Sequence, residues 1–75
     1  MEGLAEFVKR RRKQTGMDQQ AFAERAGVAL TVVRKIEQNK GGLHLDKVNQ
    51  VLKMFGHELA PVSNRELNGK EENPL

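Results

Sequence analysis

Glycine interrupts the helical pattern of this chain at Gly16, Gly27, Gly41-Gly42 and Gly56, so the helices between these breaks must be short. A short helix is not stable alone and has to bury an apolar face against its neighbours. Each stretch carries such a face. Leu4, Phe7 and Val8 fall at i, i+3, i+4 spacing and predict a first helix over residues 3–15. Asp18 suits the N-cap of a second helix over about 18–26, lined by Phe22, Ala23 and Ala26, with Met17 placed to pack on Phe22 as a staple. Val32, Val33 and Ile36 predict a third helix at about 29–38. Leu45, Val48, Val51, Leu52 and Phe55 predict a fourth, running to Phe55 and stopped by Gly56. The stretch His57-Glu58-Leu59-Ala60-Pro61-Val62 is too short for a helix and reads as extended. From Ser63 the chain is polar, and residues 63–75 are expected to be a disordered tail. The expected fold is all-α: a bundle of four to five helices over residues 1–62, with a short C-terminal β-strand at 57–62.

Seventy-five residues make one domain at most and bury a small core, which leaves little room for a ligand pocket or a complex active site. The chain has no cysteine, which excludes disulfide scaffolds and thiolate metal sites and is compatible with a cytoplasmic location, the location expected here. No apolar run has the length of a membrane span, and the charged Met1–Lys13 stretch lacks the apolar centre of a secretory signal. There is no P-loop, no glycine-rich dinucleotide turn and no nucleophile paired with a base. His44 and His57 have no cysteine or paired carboxylates at ligand spacing, and Glu71-Glu72 is a tail charge pair. Neither catalysis nor a metal or other cofactor is expected.

Charge is unevenly placed. Residues 1–40 hold nine Lys/Arg against five Asp/Glu, and residues 41–75 hold four against five. The basic front half reads either as a surface for a polyanion, nucleic acid first, or as an ordinary solvated face. Two short helices joined by a glycine-bearing turn narrow the choice, since this is the helix-turn-helix arrangement. Ala23 is small enough for the two helices to approach, Gly27 accepts the positive φ of the turn, and Val28 and Val33 tuck the turn and third helix into the core. The outer face of the third helix then carries Leu30, Thr31, Arg34 and Lys35, on an element that fits the DNA major groove. Arg34 and Lys35 read either as groove contacts or as surface charges. The run Arg10-Arg11-Arg12-Lys13 reads either as a solvated helix end or as phosphate contacts, apart from Arg12. Leu4, Val8 and Arg12 are spaced by four, so Arg12 lies on the apolar stripe and needs a partner there.

From about Leu4 to Leu59 the chain resembles the Xre/lambdoid-repressor type of helix-turn-helix protein. The pattern of Gln19, Ala23, Gly27, Val33, Ile36 and Glu37, followed by the fourth-helix stripe, carries the resemblance. Within that family the ending HELAPV resembles HipB-type antitoxins, which carry a strand after the last helix. The resemblance implies a lambda-repressor-like DNA-binding bundle. It places Gln19 on a backbone phosphate, Leu30, Thr31, Arg34 and Lys35 at the base-facing and phosphate-facing sites of the recognition helix, and Lys40 on a phosphate. It also implies an ion pair between Arg12 and Glu37, joining the first helix to the third. Three residues depart from the pattern. Ala29 stands where a Ser or Thr N-cap is usual, Asn39 where Gly is common, and Leu30 offers a thymine methyl contact rather than a hydrogen bond.

The function this implies is that of a sequence-specific DNA-binding transcriptional repressor, bound to a palindromic operator as a homodimer and acting on its own promoter. The extended segment has no second strand within the chain to pair with, so Glu58, Leu59 and Ala60 are expected to pair with the same segment of a symmetry mate. The alternative is an antitoxin that neutralises a HipA-like kinase toxin by protein–protein binding, through the strand and tail. RNA binding is disfavoured because Phe7, Phe22 and Phe55 all lie on core faces, leaving no exposed aromatic for base stacking.

Overall fold

The computed structural model describes residues 2–65. Its elements in order are α1 (Leu4–Thr15), α2 (Gln19–Ala26), α3 (Leu30–Glu37) and α4 (Leu45–Leu52), the last continued by a 3-10 turn, Lys53–Phe55. No strand occurs among the described residues, so the fold seen is an all-helical bundle. No helix among them is long and apolar enough to cross a membrane.

Local chemistry sets most of the helix ends. α1 stops at Gly16. Asp18 starts α2 by accepting the Ala21 N–H at 2.8 Å, and Gly27 stops it in the left-handed region at φ +77. α3 begins at Leu30 behind Ala29, which supplies no side-chain cap. It ends in a turn built on Asn39 at φ 57, where the Lys40 N–H reaches back to the Lys35 carbonyl at 3.0 Å.

Three expectations need correction. The α-helical part of α4 ends at Leu52 rather than Phe55, because the final turn tightens to 3-10 geometry and so satisfies carbonyls that the helix end leaves open. Leu45, expected on the buried stripe, is 70% exposed. As the first residue of α4 its Cβ tilts towards the helix N-terminus, away from the core met by Val48 and Val51. Residues 57–62 form no strand in the single chain, since a ladder needs a neighbour and none is present among the described residues. Of the expected tail, residues 66–75 lie outside the described residues, and the toxin contact placed there lies outside them too.

The core consists of Val8, Phe22, Ala23, Ala26, Val33, Ile36, Val48, Val51 and Leu52. Each fully buried Val, Ile or Phe among them contributes about 1.5–3 kcal/mol. Phe22 stacks on Phe55 with centroids 5.6 Å apart, and Phe7 meets Phe55 edge-on at 6.0 Å. The guanidinium of Arg11 lies 4.9 Å above the Phe55 ring.

Arg12 enters this core from α1. Its Nε donates to Glu37 Oε2 at 2.7 Å, its Nη2 to Glu37 Oε1 at 3.0 Å, and its Nη1 to the Met17 carbonyl at 2.9 Å. The side chains are only 10% and 3% exposed. Burial alone would raise the Glu37 carboxyl, but hydrogen bonds from Arg12 and Gln19 and the nearby positive charge outweigh it and hold the group below its ordinary 4.5. Removing one partner strands a nearly buried charge, so Arg12→Ala or Glu37→Ala should each cost about 3 kcal/mol or more in a thermal or denaturant melt. The double variant should cost less than the sum, and simple additivity would show that the two do not interact. A depressed folded-state value contributes stability that is present above about 4.5 and is lost as pH falls through it. Acid melts of the native chain and Glu37→Gln should therefore differ above about 4.5 and converge only as pH falls through the depressed folded-state value, which lies lower.

Candidate nucleic-acid interface

The two helices of the motif meet at a turn that is held from outside. Backbone bonds from Gly27 N–H to the Glu24 carbonyl at 3.2 Å and from Val28 N–H to the Ala23 carbonyl at 3.0 Å close the end of α2. Gln50, on α4, then donates through Nε2 to the carbonyls of Ala26 at 3.1 Å and Gly27 at 2.9 Å. A Cβ on Gly27 would lie 2.9 Å from that nitrogen, so glycine is required here for space as well as for its positive φ. Gln50 was not legible from sequence, because a polar residue beside Val51 on an amphipathic helix looks solvated. Only the close return of α4 to the turn gives it a role.

α3 is oriented by what it buries. Val33 and Ile36 are in the core, and Glu37 is turned inward onto Arg12. Thr31, Arg34 and Lys35 are left exposed on the other side. Leu30 is half-buried and packs partly against the core, so only part of its side chain faces outward. Lys40, carried by the turn after α3, is exposed as well. Arg34, Lys35 and Lys40 make no ion pair among the described residues.

Gln19 sits less freely than a solvated first-turn residue would. It is half-buried, and its Nε2 donates to Glu37 Oε1 at 3.1 Å. One amide N–H is thereby committed, and the second remains for an external acceptor. The basic run on α1 is largely used within the molecule. Arg10 pairs with Glu2 at 2.8 Å, Arg11 covers Phe55, and Arg12 holds Glu37.

The structure adds two residues that the sequence reading did not bring beside α3. An open cleft beside α3 is lined by Thr31 and Lys35 on one side and by His44 and Lys47 on the other, and no carboxylate lines it. The signal was the pair Gly41-Gly42, whose compact loop folds the first turn of α4 back against α3. The dimerisation candidates stand apart from this face. Leu59 is half-buried against the core, while Glu58 and Ala60 are exposed.

The comparisons with curated proteins and with solved structures return no match. A helix-turn-helix family model matches residues 8–60, a span that takes in Arg12, the whole of α2, the Gly27 turn, α3 and α4. The chain belongs to the helix-turn-helix family of the Xre/lambda-repressor type, a family of DNA-binding regulators.

Proposed function

We propose that the chain is a sequence-specific transcriptional repressor that binds a palindromic operator as a homodimer. One observation carries the reading. The outward face of α3 holds Thr31, Arg34 and Lys35 exposed, its cations without an ion pair among the described residues, while the carboxylate of the same helix is buried on Arg12. A helix presenting free cations and a hydroxyl on one side suits the major groove. Arg34 reads a base edge, and the exposed part of Leu30 meets a thymine methyl. Lys35, Lys40 and Lys47 contact phosphates, and so does the uncommitted N–H of the Gln19 amide. The phosphate contacts supply affinity and its salt dependence, and the base contacts supply sequence choice. Repression follows from occupancy of promoter DNA. A single module of this size makes few contacts, so two are held about 34 Å apart on successive turns of the duplex. The segment with Glu58, Leu59 and Ala60 links them.

On an operator recovered by selection from random DNA, Arg34→Ala should cost about 1–3 kcal/mol and leave binding to random sequence almost unchanged. Lys40→Ala should weaken both DNAs equally and reduce the salt slope by about 1. Equal loss on operator and random DNA for Arg34→Ala would remove it as a base reader. For assembly, a chain ending at Gly56 should keep its helical circular dichroism, sediment as a monomer and lose most operator affinity. A tight dimer of that shortened chain would place the interface on the helices instead.

A further inference from the structure

The N–H groups after α4 alternate in a way that a lone chain does not use. His57 N–H donates to the Leu52 carbonyl at 3.0 Å, and Leu59 N–H donates to Asn49 Oδ1 at 2.7 Å. Both point back onto the protein's own body. Pro61, next in that alternation, has no N–H. Glu58, Ala60 and Val62 have no hydrogen-bond partner at all among the described residues. The chain runs from His57 to Ser63 without a turn or bend. In extended chain, alternate residues direct N–H and C=O to opposite edges. The N–H groups of one edge are therefore taken internally or removed by proline, and those of the other edge are open at every position.

We propose that the open edge pairs antiparallel with the same segment of a second copy, in the register that puts Ala60 on the two-fold axis. The inference rests on the homodimer reading above and specifies its geometry. In this register Ala60 faces its own copy and Glu58 faces Val62, so every open residue falls in a hydrogen-bonded pair. Moving the axis to Leu59 sets Val62 opposite Gly56, whose N–H is already given to the Lys53 carbonyl at 3.1 Å. Moving it to Pro61 sets Glu58 opposite Asn64, beyond the straight stretch. Any register that pairs even with odd positions takes the Leu59 N–H away from Asn49. Pro61 costs nothing in the chosen register, because it lies on the edge that makes no interchain bonds.

The same register fills a groove. Leu4 and Phe7 of α1, with Leu52 and Leu59, border an open apolar groove beside the segment. Leu59 lies on the inward face, and the residue opposite it is Pro61 of the second copy, in a non-hydrogen-bonded pair whose Cα atoms come about 4.5 Å apart. That proline ring closes over the groove, so one pairing satisfies the backbone edge and covers the apolar surface.

The chain has no cysteine, so introduced thiols report without background. Hydrogen-bonded antiparallel pairs hold Cα atoms about 5.5 Å apart, within the span of a disulfide. Under mild oxidation the full chain carrying Ala60→Cys should become a covalent dimer. Glu58→Cys alone and Val62→Cys alone should not, but the two refolded together should give a mixed covalent dimer. In the unsubstituted chain the amides of Glu58, Ala60 and Val62 should exchange about tenfold or more slower as the dimer forms. A mixed dimer from Glu58→Cys with Ala60→Cys, and none from Ala60→Cys alone, would overturn the register and leave the homodimer standing. A dimer by sedimentation whose amides at these positions stay unprotected would overturn the ribbon. A full chain that sediments as a monomer, with and without operator, would overturn the homodimer reading itself.

Discussion

Glu37 is the point at which three helices are joined. It lies at the end of α3, receives two hydrogen bonds from Arg12 of α1 and one from Gln19 of α2, and its side chain is 3% exposed. The apolar core alone is small and built largely of valine and alanine, which pack well in more than one relative setting of short helices. A bidentate guanidinium–carboxylate contact tolerates far less variation. Such a pair adds little net stability over apolar residues of the same shape, but it is costly to break. Its value here is orientation. With Val33 and Ile36 in the core and Glu37 held on Arg12 at the edge of that buried face, helical periodicity turns Thr31, Arg34 and Lys35 outward, so the contact fixes the rotation of α3 and with it the direction of the proposed reading face.

The pair also changes how the charge of the chain is read. A basic front half suggests a broad polyanion surface, yet Arg10, Arg11 and Arg12 each have an intramolecular use on Glu2, Phe55 and Glu37. Among the described residues, the cations left exposed and without an ion pair near α3 are Arg34, Lys35, Lys40 and Lys47. They lie on the helix, on the turn after it and on the first turn of α4. Net charge alone does not show this, because it counts equally the α1 arginines that already make contacts within the molecule.

The helices and most of the core were legible because they rest on local rules. Periodicity found Val8, Phe22, Val33, Ile36, Val48 and Val51, and glycine together with the Asp18 cap found the helix ends. Arg12 stood out as a charge on an apolar stripe. The misses share one cause, since each depends on a neighbour distant in sequence. Gln50 gains its role from a turn that lies 23 and 24 residues earlier. Leu45 has the right spacing but lies beyond the core at the start of its helix. Gln19 reads from sequence as a phosphate contact, and its bond to Glu37 emerges only when that carboxylate is brought beside it. Residues 57–62 carry an extended pattern, but whether such a stretch becomes a strand is decided by what lies next to it.

Asn49 and Gln50 show how these distant contacts are organised. They are neighbours on α4, and they hold opposite ends of the functional arrangement. Asn49 fixes the backbone of Leu59 at 2.7 Å, and Gln50 fixes the carbonyls of the Gly27 turn. Each leaves the helix on a different side, about 100° round at the pitch of an α-helix. α4 thus works as a rigid beam between the segment proposed to carry the two-fold axis and the turn that aims α3. A dimeric reader of DNA must set two recognition helices at one separation and one tilt, and errors between the axis and the helix count twice. Routing that geometry through two adjacent side chains on one helix keeps the path short, and it does so with amide hydrogen bonds whose direction is fixed rather than with apolar contacts that can slide.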